Sequence, residues 1–268
     1  MGARRRTPAD PGRLLARLHD AVDHGDRSRA RRLLKRLGAG TTLDFRYARW
    51  RVLSLDEDLA PALDAATEAA SLHADSPDVQ YALGWTLAGL GRHEEAVAAL
   101  EEACFLDPDF ADAWYDLAVA RERGGDVAGM KAAFAEVYAI DFAPPLPALR
   151  WSEDKVLGWA ERAVKSLPKG VQDAARDVPI FVQDHPDPWI LEDMPFDPRL
   201  LGLFDGPTYA EVSLYGGASP HIYLFHRNLE AVCGDARDMA EQVRITIHHE
   251  VGHYLGLEED DLHERGLG

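Results

Sequence analysis

Two cysteines in 268 residues, Cys104 and Cys233, are too few for a disulfide framework and point to a reducing compartment, the cytoplasm. Neither has a C-x-x-C neighbour, so both are expected as small buried residues. No run approaches the roughly 18 apolar residues that a spanning helix needs, so no membrane association is expected. Arg4-Arg5-Arg6 opens the chain like a targeting signal, yet Pro8, Asp10 and Pro11 arrive before any apolar core, and residues 1–10 are expected as a disordered tip. Positive charge is scarce: 29 basic residues face 46 acidic ones, a formal net charge of -17. Nucleic acid and anionic membranes are repelled by that average field. Apolar residues make up 46% of the chain and the mean hydropathy is -0.27, the profile of a soluble globular protein. The length suits two domains.

The clearest pattern is a 34-residue period. Pro77–Phe110 contains Leu83-Gly84, Leu87, Gly91, Ala96, Leu100, Ala103 and Asp107-Pro108. Ala111–Pro144 answers with Trp114, Leu117-Ala118, Gly125, Met130, Phe134 and Val137. Leu43–Ser76 is a weaker copy whose turn, Leu55–Asp58, lacks glycine. Each unit reads as two antiparallel helices, and the spacing is that of the tetratricopeptide (TPR) repeat. Residues 11–42, rich in arginine and broken at Gly25-Asp26, read as a capping hairpin. Residues 11–143 are thus expected as an all-α solenoid. Trp50, Trp114 and Tyr115 recur at repeat positions and read as packing residues. The resemblance to TPR proteins implies a groove for a protein partner or for the distal part of a substrate.

Prolines at 144, 145 and 147 end the solenoid, and residues 144–151 are expected as a stiff linker. A second domain over 152–268 then opens with a helix capped at Ser152. A strand is expected at Pro179–Val182. The region from Tyr209 to Phe225 is expected to complete a small sheet, with Ile222–Phe225 the strand beside a cleft.

The chemistry lies in His249-Glu250-Val251-Gly252-His253. On a helix, residues four apart share a face, so His249 and His253 can hold one Zn²⁺. Glu250 is placed to take a proton from a water activated by the metal. Met239, Val243 and Ile247, widened by Ala240, Val251 and Tyr254, form the apolar stripe of that helix. Asp235 is its expected cap and Gly256 its terminator. A turn at Gly256 can return Glu259 to the metal as third ligand, and Asp260, Asp261 and His263 are within the same reach. Tyr215, His221 and His226 are weighed as oxyanion or proton-donating groups against half-buried sheet residues. Tyr254 and His248 face away from the ligand side. Asp184, His185 and Asp187, separated by prolines, read as a loop.

Around these residues the chain resembles the bacterial minimal zincin-like metallopeptidases, which share H-E-x-x-H-x-x-G followed by an acidic residue. The likeness extends through Val243–Leu257, through Ile222–Glu230 as a preceding strand and turn, and through Leu201–Gly206 as a loop, covering about residues 150–268. It implies a small α+β domain, zinc on His249 and His253, Glu250 as general base, and Glu259 where the family has Asp or Glu. No methionine follows the helix, so the methionine-containing turn of metzincins is absent. The expected activity is zinc-dependent hydrolysis of a peptide or protein. The alternative is an interaction scaffold whose zinc site is structural or vestigial.

Overall fold

The computed structural model describes residues 10–188, 197–215, 219–258 and 261, with the side chains of residues 213–215 left aside. Two compact units divide between Asp141 and Phe142.

The first unit is an all-α solenoid of four hairpins. They are α1 (Pro11–Asp23) with α2 (Arg27–Leu37), α3 (Leu43–Leu53) with α4 (Ala60–Leu72), α5 (Pro77–Gly89) with α6 (His93–Leu106), and α7 (Ala111–Arg123) with α8 (Val127–Asp141). The period has a physical basis. Ala62, Ala96 and Met130, 34 residues apart in turn, are each at most 1% exposed. Gly91 and Gly125 hold φ +74° and +80° at the hairpin turns, where a side chain would be strained. Gly84 is fixed by packing, because a Cβ there would stand 2.5 Å from Cγ of Leu100. Trp50 is core: its ring lies against Tyr47, Tyr81 and Trp85, and its indole N–H donates to Oγ1 of Thr86 at 2.8 Å. Trp114 is half-buried and donates to the carbonyl of Pro108. Tyr115 packs on Phe134.

The second unit is a small α+β domain. It contains α9 (Glu153–Ser166), α10 (Lys169–Ala175), β1 (Ile180–Gln183), β2 (Gly202–Asp205), α11 (Tyr209–Tyr215), β3 (His221–Phe225), α12 (His226–Ala231) and α13 (Ala236–Tyr254). The strand order is β1-β3-β2, with β1 parallel and β2 antiparallel to β3. Met239, Val243, Ile247, Val251 and Tyr254 on α13 pack with Val156, Trp159, Ala160 and Ala163 on α9 and with Ile222 and Leu224 on β3. Residues 3.6 per turn apart on two helices therefore close one core over the sheet.

Three local expectations are corrected. Ile222–Phe225 is the central strand, paired on both sides; the strand beside the cleft is β2, from the segment read as a loop. Four residues that begin with Gly202 and are followed by Gly206 are too few to show alternation. The first part of Tyr209–Phe225 is helical, and Glu211 reaches back to cap its start: the Thr208 N–H and hydroxyl both donate to Oε2 of Glu211 at 2.8 Å, the carboxylate half of a capping box. Ser152 takes the N-cap position of α9, but its side chain makes no capping bond. Glu153 and Asp154 supply the negative charge of that first turn instead.

Candidate metal centre

The helix carrying H-E-x-x-H is anchored at both ends. Asp235 Oδ1 accepts the N–H groups of Arg237 and Asp238 at 2.7 and 3.0 Å. At the other end Gly256, at φ +81°, makes a Schellman turn. Its N–H reaches the His253 carbonyl at 2.9 Å, and the Leu257 N–H reaches the Gly252 carbonyl at 3.1 Å.

That turn also places a carbonyl against a ligand candidate. His253 Nδ1 lies 3.2 Å from the Leu257 oxygen, a contact that fits an Nδ1–H donor and directs the Nε2 lone pair outward. His253 Nε2 stands 3.0 Å from His249 Nε2, with the two rings at 85°. Two imidazoles at about 2.0–2.1 Å from one tetrahedral zinc would hold their nitrogens roughly 3.3 Å apart. The observed pair fits that ion with a shift of a few tenths of an ångström.

Glu250 is buried, 6% exposed, and its Oε2 accepts the main-chain N–H of Phe204 at 2.7 Å. The sheet register explains why that N–H is turned toward it. Phe225 donates to the Leu201 carbonyl, so Leu203 and Asp205, opposite Tyr223 and His221, are the residues that bond to β3. The polar main-chain groups of Gly202 and Phe204 then point away from β3, along the sheet edge. Gly202 is required here: a Cβ would lie 2.5 Å from Cγ2 of Thr246, 3.1 Å from the Tyr223 oxygen and 3.2 Å from Glu250 Oε1.

The result is a cleft of about 440 Å³ lined by His249, Glu250, His253, Gly202, Leu203, Phe204, Thr208 and the Gly256–Glu258 turn. Sequence reasoning missed Gly202, Leu203, Phe204 and Thr208 as cleft residues. The signals were the glycine pair flanking the strand and the Thr-x-x-Glu box that follows it.

Glu259, Asp260 and His263 lie outside the described residues, and Asp261 is exposed. Among the described residues no group of three His, Cys, Asp or Glu side chains gathers to hold a metal. His248 points the other way. It is 9% exposed, with Nε2 at 3.0 Å from Ser166 Oγ and 3.1 Å from the Ala163 carbonyl, and burial lowers its pKa. His221 Nε2 bonds to Asp205 at 3.0 Å, and His226 is 2% exposed against Glu230, so neither lines the cleft. Tyr215's side chain lies outside what is described. Tyr254 is 4% exposed and packs on Phe204 and Tyr209. Asp184 pairs with Arg227 and His185 stacks on Phe142, so these two are occupied in holding their loop. Both cysteines are free thiols in buried positions.

Among solved structures the chain is similar to MamA residues 41–end from Desulfovibrio magneticus RS-1, at 19% identity, TM-score 0.45, over 51% of this chain and 78% of that one. YrrB, described as a TPR protein with an unusual peptide-binding site, aligns at 19% identity and TM-score 0.42 over 51% and 71% of the two chains. A tetratricopeptide repeat protein from Parabacteroides merdae ATCC 43184 aligns at 13% identity and TM-score 0.41 over 95% and 96%. No curated protein matches. No helix among the described residues is long and apolar enough to cross a membrane. Residues 175–268 match the sequence model of the zincin-like metallopeptidases and residues 86–125 that of the TPR repeat, the two-part composition that the sequence resemblances imply.

Proposed function

We propose that the C-terminal unit is a zinc-dependent peptidase or amidase and that the solenoid engages its substrate or a protein partner. The observation that carries this reading is the convergence of His249 Nε2, His253 Nε2 and the Glu250 carboxylate in one cleft beside the outer edge of β2. His249 and His253 would hold the metal, with Glu259 the proposed third ligand. Zinc bound there would act as a Lewis acid on a carbonyl and lower the pKa of a water.

The chain's own residues do the rest. Glu250 takes a proton from the attacking water and returns it to the departing nitrogen, the two halves of general acid–base catalysis. The Phe204 N–H holds one carboxylate oxygen and so fixes the side chain's direction. An extended substrate would lie along β2, where the Gly202 main chain and the Phe204 carbonyl face outward while the Phe204 N–H stays with Glu250, and main-chain pairing of that kind supplies affinity without demanding a sequence. Thr208 and Leu203 would then shape its side-chain pockets.

The test is a peptide-library cleavage screen read by mass spectrometry, run on the wild type and Glu250→Gln together, with zinc content measured on both. Wild type should carry about one zinc per chain and cleave, while Glu250→Gln keeps its zinc and loses at least about 100-fold in turnover. His249→Ala/His253→Ala should lose the metal. Zinc retained with no cleavage by the wild type would leave the scaffold with a structural site as the better reading, and equal cleavage by wild type and Glu250→Gln would remove Glu250 from the chemistry.

A further inference from the structure

The strongest unassigned feature lies in the solenoid, at the junction between the first hairpin and the second. Charge along the chain is very uneven. Residues 1–53 hold fourteen of the 29 basic side chains and five of the 46 acidic ones. Helix α2 alone, RSRARRLLKRL, has six basic residues and no acidic one. In an otherwise acidic protein this concentration is the opposite of the average field.

Part of it surrounds a cavity of about 630 Å³. Its walls are α2, the loop 38–41, α3 and Glu68 on α4. Gly38, at φ +78°, turns the chain out of α2, and a Cβ on Gly40 would stand 2.6 Å from Cγ of Phe45. The loop can therefore lie flat against Phe45 only as glycine. Helix α2 packs on α3 more sparsely than α4 on α5 or α6 on α7, and the space left is the cavity. The cavity lies where the second helix α2 meets the first helix α3, with Glu68 of α4 at its side.

The lining has two parts. Leu34, Phe45, Val52 and Leu53 give an apolar floor; Arg31, Lys35, Arg46 and Arg49 give a basic rim. Arg46 and Arg49 share one carboxylate, Glu68, at 2.6 and 2.9 Å. Arg31 pairs with Asp56 at 2.5 Å, and Lys35 is exposed. Two carboxylates thus face four cations. A cavity left by loose packing alone needs no such excess, whereas a site for carboxylates does. The fork of a guanidinium is shaped for a carboxylate, and an open basic rim over an apolar floor can admit a peptide segment from the surface.

We propose that this cavity binds a short acidic peptide segment, one or two carboxylates on the basic rim and a neighbouring aliphatic or aromatic side chain on the floor. An apolar floor has nothing to offer the phosphodiester of a nucleic acid, and the chain's overall negative charge opposes a long polyanion. A few carboxylates next to an apolar side chain meet both parts of the lining.

The test uses the full chain and a fluorescein-labelled octapeptide pool with Asp or Glu at four positions and Leu, Ile or Phe at the other four. Binding is followed by fluorescence anisotropy at low and physiological salt. Comparison probes are the pool with Asn and Gln in place of the acids, an eight-residue polyglutamate, and an eight-nucleotide thymidylate strand. The acidic–apolar pool should bind at least tenfold more tightly than all three. Lys35→Glu/Arg49→Glu should weaken it at least tenfold, as should the milder Lys35→Gln/Arg49→Gln, with the helical circular dichroism retained. Arg13→Glu/Arg17→Glu, exposed cations outside the cavity, should change it less than twofold. Absence of binding, equal loss in the Arg13/Arg17 variant, or an oligonucleotide bound as tightly would each overturn the proposal.

Discussion

The main-chain N–H of Phe204 donates to Oε2 of Glu250 at 2.7 Å, tying the sheet's edge strand to the middle of the H-E-x-x-H turn. The contact exists because Gly202, two residues earlier, has no side chain. Strand and helix approach so closely that a methyl group at 202 would overlap Cγ2 of Thr246 and crowd Glu250 Oε1.

Gly202→Ala is therefore expected to destabilise the unit by about 1–3 kcal/mol, the usual cost of overpacking a core. Denaturant unfolding measures this. Thr246→Ser removes the methyl carbon that the new Cβ would strike, so Gly202→Ala/Thr246→Ser should recover part of the loss. Strict additivity of the two substitutions would mean that the clash is relieved elsewhere.

Gly256 gives a second prediction. Its φ of +81° lets the Leu257 carbonyl return to His253 Nδ1 at 3.2 Å. Gly256→Ala should cost about 1 kcal/mol from the left-handed backbone. If the turn loosens, the imidazole loses its orienting partner, and zinc affinity should fall about tenfold. Competition against a calibrated chelator reads the affinity. A stability loss with unchanged zinc affinity would show that the carbonyl does not orient His253.

Much of this was legible in the sequence, for identifiable reasons. Helix α13 announced itself because its apolar stripe, its Asp235 cap and its Gly256 terminator all agree, and the repeats because 34 residues separate Ala62, Ala96 and Met130. The edge strand did not, since Gly202–Asp205 takes its identity from pairing with His221–Leu224 rather than from any alternation of its own. Three of those four residues, Gly202, Leu203 and Phe204, line the cleft opposite the helix, so the site was half visible: the helix side could be read, the strand side could not. The basic cavity was invisible for a related reason. Its lining is scattered from Arg31 to Glu68 and is brought together only by hairpin packing.

The thiols provide a simple probe of packing. Cys104 is 3% exposed and burial pushes its pKa up to about 12; burial raises that of Cys233 as well. The thiolate is the reactive form, so both should resist a disulfide reagent at pH 8 in the native protein. Two equivalents should react after unfolding in guanidinium. Fast native reaction of either thiol would reveal local opening of the unit that holds it.

The last prediction concerns Glu230, which fastens the start of the second unit to the C-terminal end of α12. Its carboxylate accepts the N–H groups of Arg150 and Trp151 at 2.9 and 3.1 Å, while the Arg150 guanidinium caps the carbonyls of Glu230, Gly234 and Cys233. The side chain is 10% exposed. Burial alone would raise its pKa, but the two backbone donors, His226 and Arg150 outweigh that, and the net shift is downward. A carboxylate held below its ordinary pKa stabilises the fold above the unfolded value, about 4.3, and loses that contribution as pH falls through the folded value. Glu230→Gln keeps the shape and removes the charge. At pH 7 it should destabilise the protein by about 1–3 kcal/mol, the range for losing charge-assisted bonds from a buried group. As pH falls below the unfolded value and toward the lower folded one, the wild-type carboxylate loses that advantage, so the gap between wild type and variant should narrow steadily. Denaturant melts across pH 3.5 to 7 measure it, and a gap that stays constant would mean that the amide fails by geometry and that the charge on Glu230 contributes nothing.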